Sequence, residues 1–211
     1  AYHSNVQPIR LKTEPGEQHR YRAKFQTSVQ TEISGSPSAS VSWIEGELTI
    51  RGAGPLFAIQ FHGLDLHGTG DESLRRELES ETLIRRDSEG RTHSLYFAKE
   101  IGILARNILR GLIGAIEVVV RTAPIARWTE CGNDATGRYV AEYSILSQTR
   151  EGTRIGRTKK YESLHFSGSP HGNPFETTMG GSTQIWIDPS GRLLSLETAE
   201  RLDLRGQMSP M

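Results

Sequence analysis

This chain of 211 residues has almost no cysteine: its single thiol, Cys131, can form no internal disulfide. The residues around it, Trp-Thr-Glu-Cys-Gly-Asn-Asp, are acidic rather than basic, which argues against a reactive catalytic thiolate. We therefore expect Cys131 to be a structural or exposed loop residue.

Net charge is also lacking, because 25 basic residues balance 25 acidic ones, and the two signs are interleaved along the chain. Nothing in this pattern favours nucleic acid as a partner, and the short run Arg157 to Lys160 is typical of a solvated strand face. No phosphate-binding loop, dinucleotide glycine pattern, zinc-protease helix or Cys-x-x-Cys pair occurs. We therefore predict no enzyme activity, no catalytic residues and no cofactor.

One cluster invites a metal interpretation. His62, Asp65, His67 and Asp71 lie close together in the segment FHGLDLHGTGD. In a regular strand Asp65 and His67 share a face while His62 points to the other, so these ligands converge only if Gly63 forms a bulge. We predict no metal site here and keep a hydrolase that depends on His62 or His67 as a remote alternative.

The most informative feature that is present is the apolar stretch from Ile101 to Val120. Its spacing predicts one long helix over residues 100–120 that is apolar nearly all the way round. A membrane span is the rival interpretation, which two central arginines and three glycines disfavour. The predicted structural core is Ile101, Leu104, Ile108, Leu112, Ile113 and Ile116. The predicted buried polar stripe is Arg106, Asn107 and Arg110. We expect its arginines to pair with strand acids such as Glu142 or to lie at an open seam of the barrel, and favour this over a buried anion-binding site.

The rest of the chain has the alternation of strands and the Gly-containing turns of hairpins, for example around Asp87 to Gly90, Glu151-Gly152 and Asp188 to Gly191. Hairpins on both sides of one apolar helix predict a mainly β fold, an antiparallel β-barrel or strongly curled sheet wrapped around a central α-helix. The expected segments are an N-terminal arm at 1–16, the barrel at 17–166, a loop at 167–183 and a C-terminal hairpin at 184–206 that joins the barrel or an adjoining sheet.

Four stretches also resemble one known family. They are PGEQHRYRAKFQTSVQT; Gly90-Arg91 and Tyr96-Phe97 leading into Asn107-Ile108-Leu109-Arg110-Gly111; the acidic segment Glu130 to Gly137 before AEYSI; and TRIGRTKKYESL. In this order they are similar to the N-terminal domain of the large lipid transfer proteins, which include vitellogenin and lipovitellin, apolipoprotein B and the microsomal triglyceride transfer protein. That domain is a β-barrel around a central helix.

The resemblance implies a non-enzymatic, lipid-transport-related module, distant and bacterial, that binds a partner protein or receptor as part of a lipid carrier. It further implies a secreted or extracytoplasmic location, in the periplasm, at the outer-membrane surface or outside the cell. The alternative is a small lipid-binding protein that holds an apolar ligand inside the barrel. Neither interpretation involves an integral membrane protein.

Overall fold

The computed structural model describes residues 15–33, 35–53, 55–67, 72–87, 89–120, 125–133, 136–164 and 175–206. Within these residues the chain forms one ten-stranded mixed sheet and two helices. The strands are β1 Gln18–Ile33, β2 Ser36–Ala53, β3 Leu56–His67, β4 Thr82–Arg86, β5 Thr92–Tyr96, β6 Arg127–Asn133, β7 Gly137–Thr149, β8 Gly152–Leu164, β9 Phe175–Ile187 and β10 Leu193–Gly206; the helices are α1 Glu72–Leu78 and α2 Ile103–Ile116.

The sheet consists of two antiparallel meanders, β1 to β5 and β6 to β10, joined by a parallel pairing of β1 with β10. Its order is β5-β4-β3-β2-β1-β10-β9-β8-β7-β6, so β5 and β6 are edges and the sheet does not close. The expected closed, antiparallel barrel is therefore wrong. Tight turns specify each meander locally, whereas the pairing that joins them sets Phe25 opposite Thr198 and has no local signal in the sequence.

The long central helix is also wrong. Helix α2 has 14 residues, and the backbone is already extended at Glu117, with φ −67° and ψ 125°. The run Val118 to Val120 lies outside the helix, because successive β-branched side chains lose rotamer freedom in a helix. These valines pack into a different part of the core from the helix that precedes them.

Two hydrophobic clusters lie on the inner face of the sheet, the face that packs against α2. The first surrounds α2 and α1 and takes its aliphatic and aromatic side chains from β1 to β4. The second lies against β6 to β9 and is richer in aromatic side chains, with Trp128, Tyr139, Tyr143 and Tyr161. Each meander thus has its own core, and α2 lies mainly over the first.

Several segment predictions can be compared with the strands. The three hairpin turns are confirmed as the β4–β5, β7–β8 and β9–β10 connections. The loop expected at 167–183 is wrong from Phe175 onward, because β9 begins there and pairs along its length with β10. The C-terminal hairpin therefore lies in the middle of the sheet. Most of the predicted arm, residues 1–14, lies outside the described residues.

The predicted absence of a membrane-spanning helix can also be compared with the structure. Among the described residues, neither helix has the length and apolar character that a bilayer crossing requires.

Candidate functional site

A cleft with a volume of about 570 Å³ lies at the seam, the gap between the edge strands β5 and β6. Helix α2 forms its floor. We call it the seam cleft. Its lining comes from Arg91 to Leu95, from Asn107, Arg110, Ile113, Gly114 and Glu117 of α2 and its end, and from Val119, Glu130 to Asn133 and Tyr139.

The edge strand β6 turns backbone groups toward the open side of the sheet. The Ile145 N–H donates to the Ala126 carbonyl oxygen at 2.9 Å, and Arg127 lies opposite Ser144. In an antiparallel pair, residues bonded to the neighbour alternate with residues whose N–H and C=O point away. Thr129 and Cys131 therefore direct their backbone groups away from β7, and Cys131 lines the cleft.

Glu117 connects three elements at the floor of the cleft. Its carboxylate accepts a hydrogen bond from the backbone N–H of Thr92 at 2.7 Å and another from the hydroxyl of Tyr139 at 3.1 Å. The side chain thus joins the end of α2 to one wall from each meander. Glu117 thereby provides an acceptor for the N–H of Thr92, the first residue of edge strand β5, which points away from β4.

Arg91 crosses the seam directly. Its guanidinium donates to Glu130 of β6 at 2.8 Å and also binds Glu89 in its own turn. The hydrogen bond to Glu130 raises the pKa of Arg91. Because Glu130 is only 8% exposed, this ion pair is better shielded from water than an ordinary surface pair.

Arg157 of β8 holds the end of α2 against the second meander. It is 5% exposed and donates to the carbonyl oxygens of Ala115 at 2.8 Å and Glu117 at 2.5 Å, and to the Thr183 hydroxyl at 2.6 Å. The last carbonyls of a helix have no partner within it, and a buried arginine supplies one here.

The prediction of a solvated face for the run Arg157 to Lys160 is wrong at two of its members. Arg157 and Lys159 are buried, and the Lys159 ammonium lies 3.9 Å from the centre of the Tyr139 ring. Ile155, Arg157, Lys159 and Tyr161 are spaced two residues apart along β8. This spacing indicates that all four side chains lie on its inner face.

The predicted core residues divide between buried and exposed positions. Ile101, Leu112, Ile113 and Ile116 are buried and Ile108 is half-buried. Leu104 is 60% exposed, so its assignment to the core is wrong. The reason is that no other element covers this side of the first turn of α2, where Ile103 is 79% exposed as well.

The predicted buried polar stripe is wrong for two of its three residues. Asn107 and Arg110 are exposed at the cleft, and Arg106 is half-buried. Arg110 donates to Asn107 at 3.2 Å and lies over the Phe97 ring, while Arg106 donates to the Lys99 carbonyl at 3.4 Å. The expected partner Glu142 is exposed on β7. The stripe faces the seam because the sheet stays open there.

The histidine cluster forms no metal centre among the described residues, where no group of three potential ligands converges. Asp65 pairs with His67 at 3.0 Å, and the His67 ring lies against Trp43. Gly63 does have a left-handed conformation beside a register shift in the β2–β3 pairing. Asp71 lies outside the described residues. Cys131 is exposed, but it lies on β6 rather than in a loop.

Comparisons with known proteins provide no identification. No family model, no curated protein and no solved structure matches this chain. The fold and the seam cleft therefore carry the functional argument.

Proposed function

We propose that this chain is a non-catalytic docking module of a lipid-carrier system, and that a partner protein binds along the seam cleft. The observation that carries the docking site is the open edge of β6 on the wall of the seam cleft. The lipid-carrier setting and an extracytoplasmic location rest on the sequence resemblance and belong to the same proposal.

The binding mode follows from the backbone of β6. An exposed edge strand is a template for another extended segment, because it offers a row of N–H and C=O groups at strand spacing. Thr129 and Cys131 direct such groups to the open side. A partner strand that pairs with them would lie over α2, with alternate side chains directed toward Leu95 and Ile113 in the cleft.

The dense packing on the inner face of the sheet favours protein docking over bulk lipid storage. The two clusters occupy most of it, with Leu109 and Ile113 of α2 and Ile155 and Ile185 of the second meander each about 1% exposed or less. The seam cleft itself is lined by Arg91, Glu117 and Glu130 together with apolar groups, which suits a polypeptide better than an acyl chain.

Cys131 provides a direct test, because it is the only thiol and it is exposed on the edge strand. A photo-crosslinker attached to Cys131 in the full chain is irradiated in an extract of the source organism. We expect one dominant crosslinked protein. The matched control carries Cys131→Ser with Val41→Cys, which moves the thiol to a position 51% exposed on β2, and should not yield that product.

A second variant tests the binding mode. Thr129→Pro removes one outward N–H donor, and proline is tolerated on the open side of an edge strand, whereas Thr129→Val keeps the donor. We expect the crosslink to fall at least about tenfold with proline and to persist with valine, since one lost backbone bond in a desolvated interface is worth about 1 to 3 kcal/mol. Equal crosslink yields from the β6 label and the β2 control label, or a product insensitive to Thr129→Pro, would contradict the proposal.

A further inference from the structure

A second cavity lies on the opposite side of α2 from the seam cleft, between the helix and strands β1, β2 and β10. Its volume is about 350 Å³, within the range of about 300 to 1,000 Å³ that is usual for small-molecule sites. Phe25 and Ile44, which pair across β1 and β2, form the sheet wall, and Ile108, Leu112 and Ala115 form the helix wall. These are apolar side chains on both sides of the space.

Gly111 leaves part of this space open. A Cβ atom built on Gly111 meets no other atom within 4 Å, so no close approach of backbone or side chain requires glycine at this position. Glycine inside a helix lowers helix stability relative to alanine. Gly111 therefore lowers the stability of α2 without being required for packing. Its missing side chain leaves an unfilled groove along the helix.

The polar groups that line the cavity are hydroxyls, the Gln26 amide, the His67 imidazole and one carboxylate, and the Trp43 ring lies among them. His67 already pairs with the Asp65 carboxylate at 3.0 Å, so its imidazole is not a free cation for a ligand. Thr27 and Ser42 form the next pair along the same face of β1 and β2, and Glu200 of β10 lies opposite Thr27. Thr198, opposite Phe25, also lines the space. None of the described residues that line it is lysine or arginine. This polar lining suits a neutral head group that donates and accepts hydrogen bonds, and it disfavours a carboxylate or a phosphate.

We propose that this cavity binds a single unbranched alkyl chain that ends in a neutral hydroxyl-bearing head, with the chain against Gly111 and the head at Thr27, Ser42 and Glu200. The proposal does not depend on the docking function at the seam, because the two spaces lie on different sides of α2 and share no lining residue.

The test uses 1-decanol and decanoate as probes, titrated into the full chain and followed by calorimetry and by the methyl resonances of Ala115 and Ile108. We expect saturable binding of 1-decanol. Decanoate, which has the same chain length but a negative head, should bind at least about tenfold more weakly, because its charge would lie near the Glu200 carboxylate. Decanoate binding as tightly as 1-decanol would overturn the assignment of the head group.

Substitutions at Gly111 test the position of the chain. Gly111→Leu puts a branched side chain into the open space and should weaken binding of 1-decanol at least about tenfold, since it displaces several buried methylene groups. Gly111→Ala is the matched control and should bind within about threefold of the original chain. Both variants increase helix propensity, so both should unfold at an equal or higher temperature, which shows that they fold. No binding of 1-decanol to the original chain, or equal binding by Gly111→Leu, would overturn the proposal.

Discussion

Two turns of this molecule have nearly the same sequence and the same geometry, one in each meander. Asp87-Ser-Glu-Gly-Arg91 connects β4 to β5, and Asp188-Pro-Ser-Gly-Arg192 connects β9 to β10. In both, the aspartate N–H donates to the arginine carbonyl, at 3.0 and 2.9 Å, and the glycine N–H donates to the aspartate carbonyl, at 3.1 and 3.0 Å. Both glycines have left-handed φ, +93° for Gly90 and +95° for Gly191.

The surroundings of the two turns differ. Arg91 reaches across the seam to Glu130, whereas Arg192 pairs with Asp188 of its own turn, at 3.2 Å. The residue before each aspartate differs as well. Ile187 is buried among apolar side chains, while Arg86 takes the equivalent position in the other hairpin. The same local structure thus ends as a simple surface turn in one meander and as part of the seam in the other.

Arg86 is the more costly of the two inward residues. Its Nε and Nη2 atoms are buried without a hydrogen-bond partner among the described residues, and the guanidinium lies over the Phe57 ring. Burial lowers the pKa of Arg86, and the charge of Glu117 opposes this shift. The comparison shows that a shared turn geometry leaves the choice of inward side chain open.

Substituting the inward residue before each turn should give the largest difference in the free energy of unfolding. Ile187→Arg buries an unpaired charge and should lower the free energy of unfolding by about 4 kcal/mol or more. Arg86→Met removes a desolvated guanidinium with two unsatisfied donors and should leave stability unchanged or raise it by about 1 kcal/mol. Urea unfolding followed by circular dichroism measures both. A loss above about 1 kcal/mol in Arg86→Met would mean that this arginine stabilises the fold.

The two turn arginines should differ by an intermediate amount. Arg91→Met removes the bond to the buried carboxylate of Glu130 and should cost about 1 to 3 kcal/mol. Arg192→Met removes a pair whose arginine side chain is 50% exposed and should change stability by at most about 0.5 kcal/mol. The same unfolding measurement compares them. Equal losses would show that Arg91 acts only within its own turn and contributes nothing across the seam.

The smallest expected difference between the two turns is in how the free energy of unfolding depends on pH. Burial alone would raise the pKa of Asp87 and of Asp188, but hydrogen bonds within each turn lower it below the ordinary value of 3.8. Asp87 accepts first from backbone N–H groups, whereas Asp188 accepts first from the Ser190 hydroxyl and then from backbone N–H groups. A carboxyl whose pKa is lowered on folding stabilises the fold above its unfolded pKa, and this contribution is lost as the pH falls through the lowered value.

Both turns should therefore lose stability over the same acid range. Asp87→Asn and Asp188→Asn should each reduce the dependence of the unfolding free energy on pH between about pH 2 and 5, by similar amounts. Unfolding curves at several pH values check this. A reduction in only one variant would mean that the seam, rather than the turn, governs the titration of that carboxyl.

The sequence predicted local features of the fold and missed long-range ones. The three hairpin turns follow from a glycine near the turn, which two of them combine with an aspartate three residues earlier. The length of α2 and the exposure of Leu104 were wrong, because an apolar residue is buried only where another element covers it. The seam cleft itself was not predicted, although an open seam was one of the positions expected for the helix arginines, and Arg110 does line the cleft.

By itself, the sequence determined where the chain turns and which side chains alternate, because an Asp-x-x-Gly-Arg turn closes through bonds among five neighbouring residues. Only the tertiary structure decided that β1 pairs with β10, that β5 and β6 stay apart, and that Arg91 meets Glu130 while Arg192 pairs within its own turn. The β1–β10 pairing and the Arg91–Glu130 ion pair join residues far apart in the chain, and their free energy depends on burial and on partners that no local window of sequence contains.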